Sequence, residues 1–183
     1  MPTDDNIIWL DSADSTNKAA RRLLEAGKLT DKMSFVAAVR QTSGRGQSDH
    51  IWVSEAGKNL TFSIVKDWSD SSFKASGQQV INSIVCPVIC DFLKTEGVEA
   101  HIKLPNDIWV NDRKICGILI ENVIMGGLMK WSIIGIGLNL NQTEWPESLP
   151  NPVSLTELTG RNYKPDEVLN GLVSEFRKKN WKI

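Results

Sequence analysis

KLPNDIWVNDRKICGILIEN, residues 103–122, decides how the rest of this chain is read. Most of it reads as two β-strands, 102–110 and 114–121, joined in a hairpin around Asn111-Asp112. Yet Lys103, Asn106, Asp107, Lys114 and Glu121 stand among the apolar residues. Two readings stay open. Lys114, with Ile115, Ile118 and Ile120 after it, suits neutralising a carboxylate or phosphate in a partly dry site. It is also an ordinary strand-end lysine whose stem lies on apolar surface and whose head reaches water. Asn106-Asp107 after Pro105 is equally good turn chemistry, and Glu121 reads as an exposed strand residue.

Outward from the hairpin the pattern is mixed. Residues 7–10 form a short apolar strand, and DSADST then offers several helix caps. Ala19, Ala20, Leu23 and Leu24 mark an amphipathic helix that begins near Ser15 and stops at Gly27. Residues 34–40 are strand-like, residues 41–50 form a polar loop, and Leu60, Phe62 and Ile64 alternate through a strand at 59–66. Residues 80–93 predict an apolar helix kinked at Pro87, residues 130–141 a strand, and Leu155 a small helix. The last helix opens on Pro165. Asp166 and Glu167 in its first turn and Arg177, Lys178 and Lys179 at its end complement the helix dipole. Its buried stripe is Val168, Leu169, Leu172, Val173 and Phe176. Strand hairpins with interspersed helices predict an α+β fold: a mixed, mainly antiparallel sheet with helices packed against it.

The 183 residues suit a single domain over 1–183, large enough for a core without disulfide or metal staples. A net charge of −1 with no basic block argues against nucleic acid as a partner. The N-terminus has no signal-peptide pattern, and the apolar run at 81–93 is too short for a membrane span. Cys86, Cys90 and Cys116 are an odd count without a CxxC, so they read as buried reduced thiols of a cytoplasmic protein. His50 and His101 make no metal pattern.

Three further stretches carry candidate chemistry. In QTSGRGQSDHIW, residues 41–52, Gly44 and Gly46 flank Arg45, which suits either a loop holding an anion or a solvated turn. In WSIIGIGLNLNQ, residues 131–142, alternation puts Ile134, Ile136, Leu138 and Leu140 on one face. Gly135, Gly137, Asn139 and Asn141 fall on the other, a floor cleared either for something flat or for a closely packed helix. Ser15-Thr16-Asn17 is a helix N-cap or an anion-friendly helix terminus, and Trp52 a core residue or a stacking surface.

Taken in order, these pieces resemble the catalytic domain of the biotin protein ligases, also called biotin–[acetyl-CoA-carboxylase] ligases. The resemblance rests on DSTN at 14–17, QTSGRG at 41–46, W-x-S from Trp52 with GKNLTFS after it, KLPNDIWVNDRKICGILIE and GIGLNLN. It runs from about Ile7 to about Lys179 and implies a class II synthetase-like ligase fold. It implies an ATP-dependent ligase that forms biotinyl-5′-AMP and passes biotin to a lysine of a biotin carboxyl carrier protein. The alternatives are a lipoate or octanoate ligase or transferase of the same fold, or a weakly active biotin-binding homologue.

By motif, the resemblance assigns biotin contacts to Ser15, Thr16, Asn17, Gln41, Gly44, Arg45, Gly46, Gln47, Lys114 and Gly117. Lys114 and Arg45 are the expected catalytic residues, with Trp52, Lys103, Asn106 and Asn139 on the ATP side and Asp107 near a phosphate-bound Mg²⁺. The family occurs as monomers and homodimers. This sequence departs from the pattern at Gln47-Ser48-Asp49-His50, where a further Arg and a Gly are usual; Asp49 is expected to weaken anion binding or alter retention of the adenylate. Leu104 stands where Trp is common. No stretch corresponds to the N-terminal helix-turn-helix domain of the bifunctional members or to a C-terminal β-barrel, so repressor activity is not expected.

Overall fold

The computed structural model describes residues 7–47, 50–74, 76 and 79–181. Seven strands form one sheet in the order β1-β2-β3-β7-β6-β5-β4. β1 (Ile7–Ala13) and β2 (Met33–Gln41) are parallel, and α1 (Thr16–Glu25) crosses between them. Every other neighbouring pair is antiparallel, through β3 (Leu60–Asp67), β7 (Leu128–Leu138), β6 (Arg113–Met125), β5 (Asp107–Val110) and β4 (His101–Lys103). The sheet is thus mixed and mainly antiparallel, as the sequence predicts. Among the described residues no helix is long and apolar enough to cross a membrane.

Strand alternation gives the sheet two different faces. Phe35 and Ala37 of β2, Leu60, Phe62 and Ile64 of β3, and Ile134, Ile136 and Leu138 of β7 enter the main core. α2 (Gln79–Thr95), the short α3 (Leu155–Thr159) through Leu155, and α4 (Pro165–Lys178) pack into this core, and the predicted α4 stripe is wholly buried. On the opposite face Val36, Ala38, Val65 and Ile133 make a smaller cluster with Ala13, Ala19 and Ala20 under α1. Farther along that face β7 and β6 present Gly135, Gly137 and Gly117, which line a cavity.

Three predicted strands differ clearly from their expected extents. Residues 102–110 are not one strand: β4 ends at Lys103, and β5 starts at Asp107 and folds back on β4. Pro105 lacks an N–H for a ladder, and the Leu104–Pro105 peptide is cis. Asn106 then docks on β6, its side-chain amide donating to the Ile118 carbonyl while its own carbonyl accepts from Ile118 N at 3.0 Å. β6 also runs on to Met125 and meets β7 through Gly126-Gly127, both at positive φ (59° and 80°), as a two-residue hairpin requires. β7 ends at Leu138 rather than at 141 because Asn139 N turns to the Ile115 carbonyl and Asn141 N to the Lys58 carbonyl.

Candidate active site

The N-terminus of α1, the 41–52 loop and the ends of β5, β6 and β7 enclose a cavity of about 380 Å³. Its construction starts at Ser15. The Ser15 hydroxyl accepts from Lys18 N at 3.3 Å, and Gln41 Oε1 accepts from Thr16 N at 2.8 Å. These two oxygens cap the helix, so Ser15 is the N-cap and Thr16 and Asn17 open the first turn. Asn17, in the first turn, lies buried. Its Nδ2 donates to the Leu119 carbonyl at 3.2 Å and Glu121 Oε2 at 2.9 Å, while its Oδ1 accepts from Ser63 Oγ at 2.7 Å. A Cβ at Gly135 would lie 2.5 Å from Asn17 Oδ1, so one glycine of the cleared floor exists for close packing of a helix.

The second glycine is cleared for a flat ring, which belongs to the chain itself. A Cβ at Gly137 would lie 2.3–2.6 Å from the Trp52 indole, and one at Gly117 would lie 2.9 Å from it. The loop delivers that ring by closing on itself. Trp52 N donates to the Gly44 carbonyl at 3.0 Å, and Gly46 N donates to the His50 carbonyl at 2.7 Å. At Gly44 a Cβ would meet the Trp52 carbonyl at 2.3 Å, so the arms can touch only with glycine there.

Two cations reach the cavity wall. Lys114 Nζ pairs with Asp107 Oδ1 at 2.8 Å and lies 5.8 Å from the Trp52 ring centre. Arg45 Nη1 pairs with Glu121 Oε1 at 3.1 Å. The Lys114 backbone is held from three sides: its N–H donates to the Asn151 carbonyl at 2.8 Å, and its carbonyl accepts from Val153 N at 3.0 Å and Asn139 Nδ2 at 3.3 Å. An anion placed between Arg45 and Lys114 would meet two cationic groups, each with a carboxylate partner, beside the Trp52 ring that covers Gly117 and Gly137.

Most predicted site residues converge here: Ser15, Thr16, Asn17, Gln41, Arg45, Gly46, Gln47, Trp52, Asn106, Asp107, Lys114 and Gly117 all line the cavity. Gly44 is not on the cavity wall; it lies where the two arms of the loop meet. Asn139 lies off the wall, its Nδ2 shared by the Lys114 and Val153 carbonyls, so it positions Lys114. Lys103 is exposed, with its ammonium 3.8 Å from the centre of the Trp109 ring, and only Trp109 faces the cavity. Asp107 is committed to Lys114, and among the described residues no three His, Cys, Asp or Glu side chains converge as metal ligands. Glu121, for which the sequence offered only exposure, is half-buried and pairs with both Arg45 and Asn17. Its step-of-two spacing from Gly117 along β6 was the signal placing it on the cleared face.

A model of the Biotin/lipoate A/B protein ligase family matches residues 9–139. The chain belongs to this family. Among curated relatives, the bifunctional ligase/repressor BirA of Bacillus subtilis is 29% identical over 177 residues, covering 95% of this chain and 53% of the relative. The chain therefore spans about half the length of the first such relatives. The biotin–[acetyl-CoA-carboxylase] ligase of Paracoccus denitrificans is 29% identical over 168 residues, 89% of this chain and 68% of that protein. Among solved structures, the biotin protein ligase of Aquifex aeolicus in complex with biotin and ATP superposes with a TM-score of 0.74 at 28% identity, covering 96% of this chain and 70% of that one.

The family match spans α1, the 41–52 loop and the β5–β6 hairpin, which are the elements that build the cavity. Of the departure from the biotin/lipoate ligase pattern at 47–50, Gln47 and His50 line the cavity. Ser48 and Asp49 lie outside the described residues, and with them the expectation placed on Asp49.

Proposed function

We propose that this chain is the catalytic unit of an ATP-dependent biotin protein ligase acting in the cytoplasm. The carboxylate of biotin attacks the α-phosphorus of ATP, the bond to the β-phosphate breaks, and pyrophosphate leaves. The ε-amine of a lysine on a biotin carboxyl carrier protein then attacks the acyl carbon, the acyl–phosphate bond breaks with AMP as leaving group, and the amine loses its proton. Both steps bring anionic oxygens together or release them, so fixed positive charge at the reacting centre is what speeds them.

The observation that carries this reading is the position of Lys114, its backbone locked by three hydrogen bonds and its ammonium beside Trp52 on the cavity wall. Arg45 supplies the second charge from the loop. Mg²⁺ enters this proposal as a companion of the ATP phosphates. A single carboxylate already paired with a lysine does not make a metal site, and no step is assigned to Asp107.

The test is incubation with ATP, Mg²⁺ and biotin, followed by mass spectrometry for biotinyl-AMP. Lys114→Ala is expected to lower adenylate formation on the order of 100-fold with Tm little changed. Equal adduct from both proteins would remove Lys114 from its role. Lipoate replacing biotin as the productive acid would move the chain to the lipoate side of the family. Biotin binding without pyrophosphate release would leave a binding protein.

A further inference from the structure

We propose that Glu121 is a positioning residue for the anion-binding loop, joining Arg45 to the N-terminus of α1 through a single carboxylate. The inference rests on the ligase reading for its kinetic consequence, and on the ligand-free geometry for the rest. Glu121 Oε1 takes Arg45 Nη1 at 3.1 Å, and Oε2 takes Asn17 Nδ2 at 2.9 Å. The Asn17 end cannot move. It is buried, and the Leu119 carbonyl and the Ser63 hydroxyl hold it as well. Glu121 is thereby aimed, and its second oxygen becomes a fixed point on the sheet for a loop side chain.

Arg45 needs such a point. Its chain neighbours are two glycines, and the loop closes on itself through the Gly46–His50 and Gly44–Trp52 hydrogen bonds. Those bonds fix the shape of the loop, and Trp52 packed on Gly117 and Gly137 seats one arm on the sheet, but neither orients the Arg45 side chain. Among the described residues, the Arg45–Glu121 pair is the ion pair that spans from loop to sheet. It uses one of the five guanidinium donors and leaves the others for a ligand at the cavity wall. An arginine already oriented loses less freedom when an anion binds.

Glu121→Gln separates the two arms, because an amide oxygen still accepts from Asn17 while the charge facing Arg45 is gone. Two measurements are made on the full chain. In the ligand-free protein, hydrogen exchange at the Gly46 and Trp52 amides is expected to quicken about 2- to 5-fold, with exchange in β3 and β7 unchanged, as loss of a half-exposed pair predicts. In the adenylation assay, KM for biotin is expected to rise about 5-fold while kcat holds within about 2-fold. Both differences shrink in high salt, and Glu121→Gln adds nothing in an Arg45→Ala background.

Unchanged loop exchange would overturn the proposal, whatever the protein's activity. So would a lowered KM, which would mean that Glu121 restrains Arg45 against the substrate. An effect that persists without Arg45, or a large fall in Tm, would make Glu121 a structural residue and overturn it too. Failure of the parent protein to form any adenylate would instead count against the ligase reading, and the exchange measurement would still decide the role of Glu121.

Discussion

Gly137 shows what a single missing side chain does in this site. A methyl group there would press on three atoms of the Trp52 indole at 2.3–2.6 Å, far inside contact distance. The ring cannot retreat without pulling the loop arm joined to Gly44, since Trp52 N is bonded to that carbonyl. Gly137→Ala is therefore expected to cost about 1–3 kcal/mol by overpacking and to raise KM for both substrates, as thermal melts and initial rates will show. Unaltered stability and KM would mean that Trp52 does not rest on this floor in solution. The alternation of WSIIGIGLNLNQ foretold the cleared floor, but not its occupants. Asn17 and Trp52 arrive from segments about 120 and 85 residues away, contacts that no local pattern encodes. Glu121 stayed without a role for the same reason: both its partners are distant in sequence.

At the scale of elements, α1 joins the site to the sheet, and its N-terminus answers to pH. Asp14 accepts from both terminal nitrogens of Arg22, at 2.8 and 3.0 Å, and from Ser15 N at 2.9 Å. Arg22 above all, opposed by partial burial and helped by the Ser15 amide, holds the Asp14 carboxyl well below the usual carboxylate range. A depressed folded-state pKa stabilises the native form above the unfolded value of about 4, and that contribution is lost as the pH falls toward the folded value. The pair is half-exposed, so its worth is about 0.5–1 kcal/mol. Asp14→Asn is expected to lower Tm by a few degrees at pH 7, with the gap to the parent closing as the pH falls below about 4 toward the folded value. A gap independent of pH would mean that the charge is not what matters. The helix and its caps were legible because capping is local chemistry. The break between β4 and β5 was missed because apolar alternation continues across it, and the break depends on Pro105 and on Asn106 docking to a strand not yet reached in sequence.

Across the whole molecule, the sheet separates a dry face from a working one. Its strand order, with β7 inserted between β3 and β6, is set by pairings between distant segments, so the sequence disclosed the fold class while the order came only with the structure. The thiols report on the dry face. Cys86 and Cys90 lie on α2 and Cys116 on β6, all packed in or against the main core. Burial pushes the Cys86 thiol up to about 11, raises Cys90, and lifts Cys116 well above its ordinary range. A thiol neutral in the folded chain but ionised in the unfolded one stabilises the fold fully below the unfolded pKa of about 8.5 and progressively less as the pH rises toward the folded value. Tm should therefore fall as the pH rises from about 8.5 to 11, and Cys86→Ala should flatten that fall. At pH 8, iodoacetamide followed by mass spectrometry should modify the half-buried Cys90 first. Cys86 and Cys116 should react only as fast as the core opens, and urea should speed them together. Reaction of Cys116 at the rate of a free thiol in native buffer would mean that the β6 strand leaves the core without global unfolding. Lys114, two residues before it on the same strand, could not then be held where the proposed chemistry needs it.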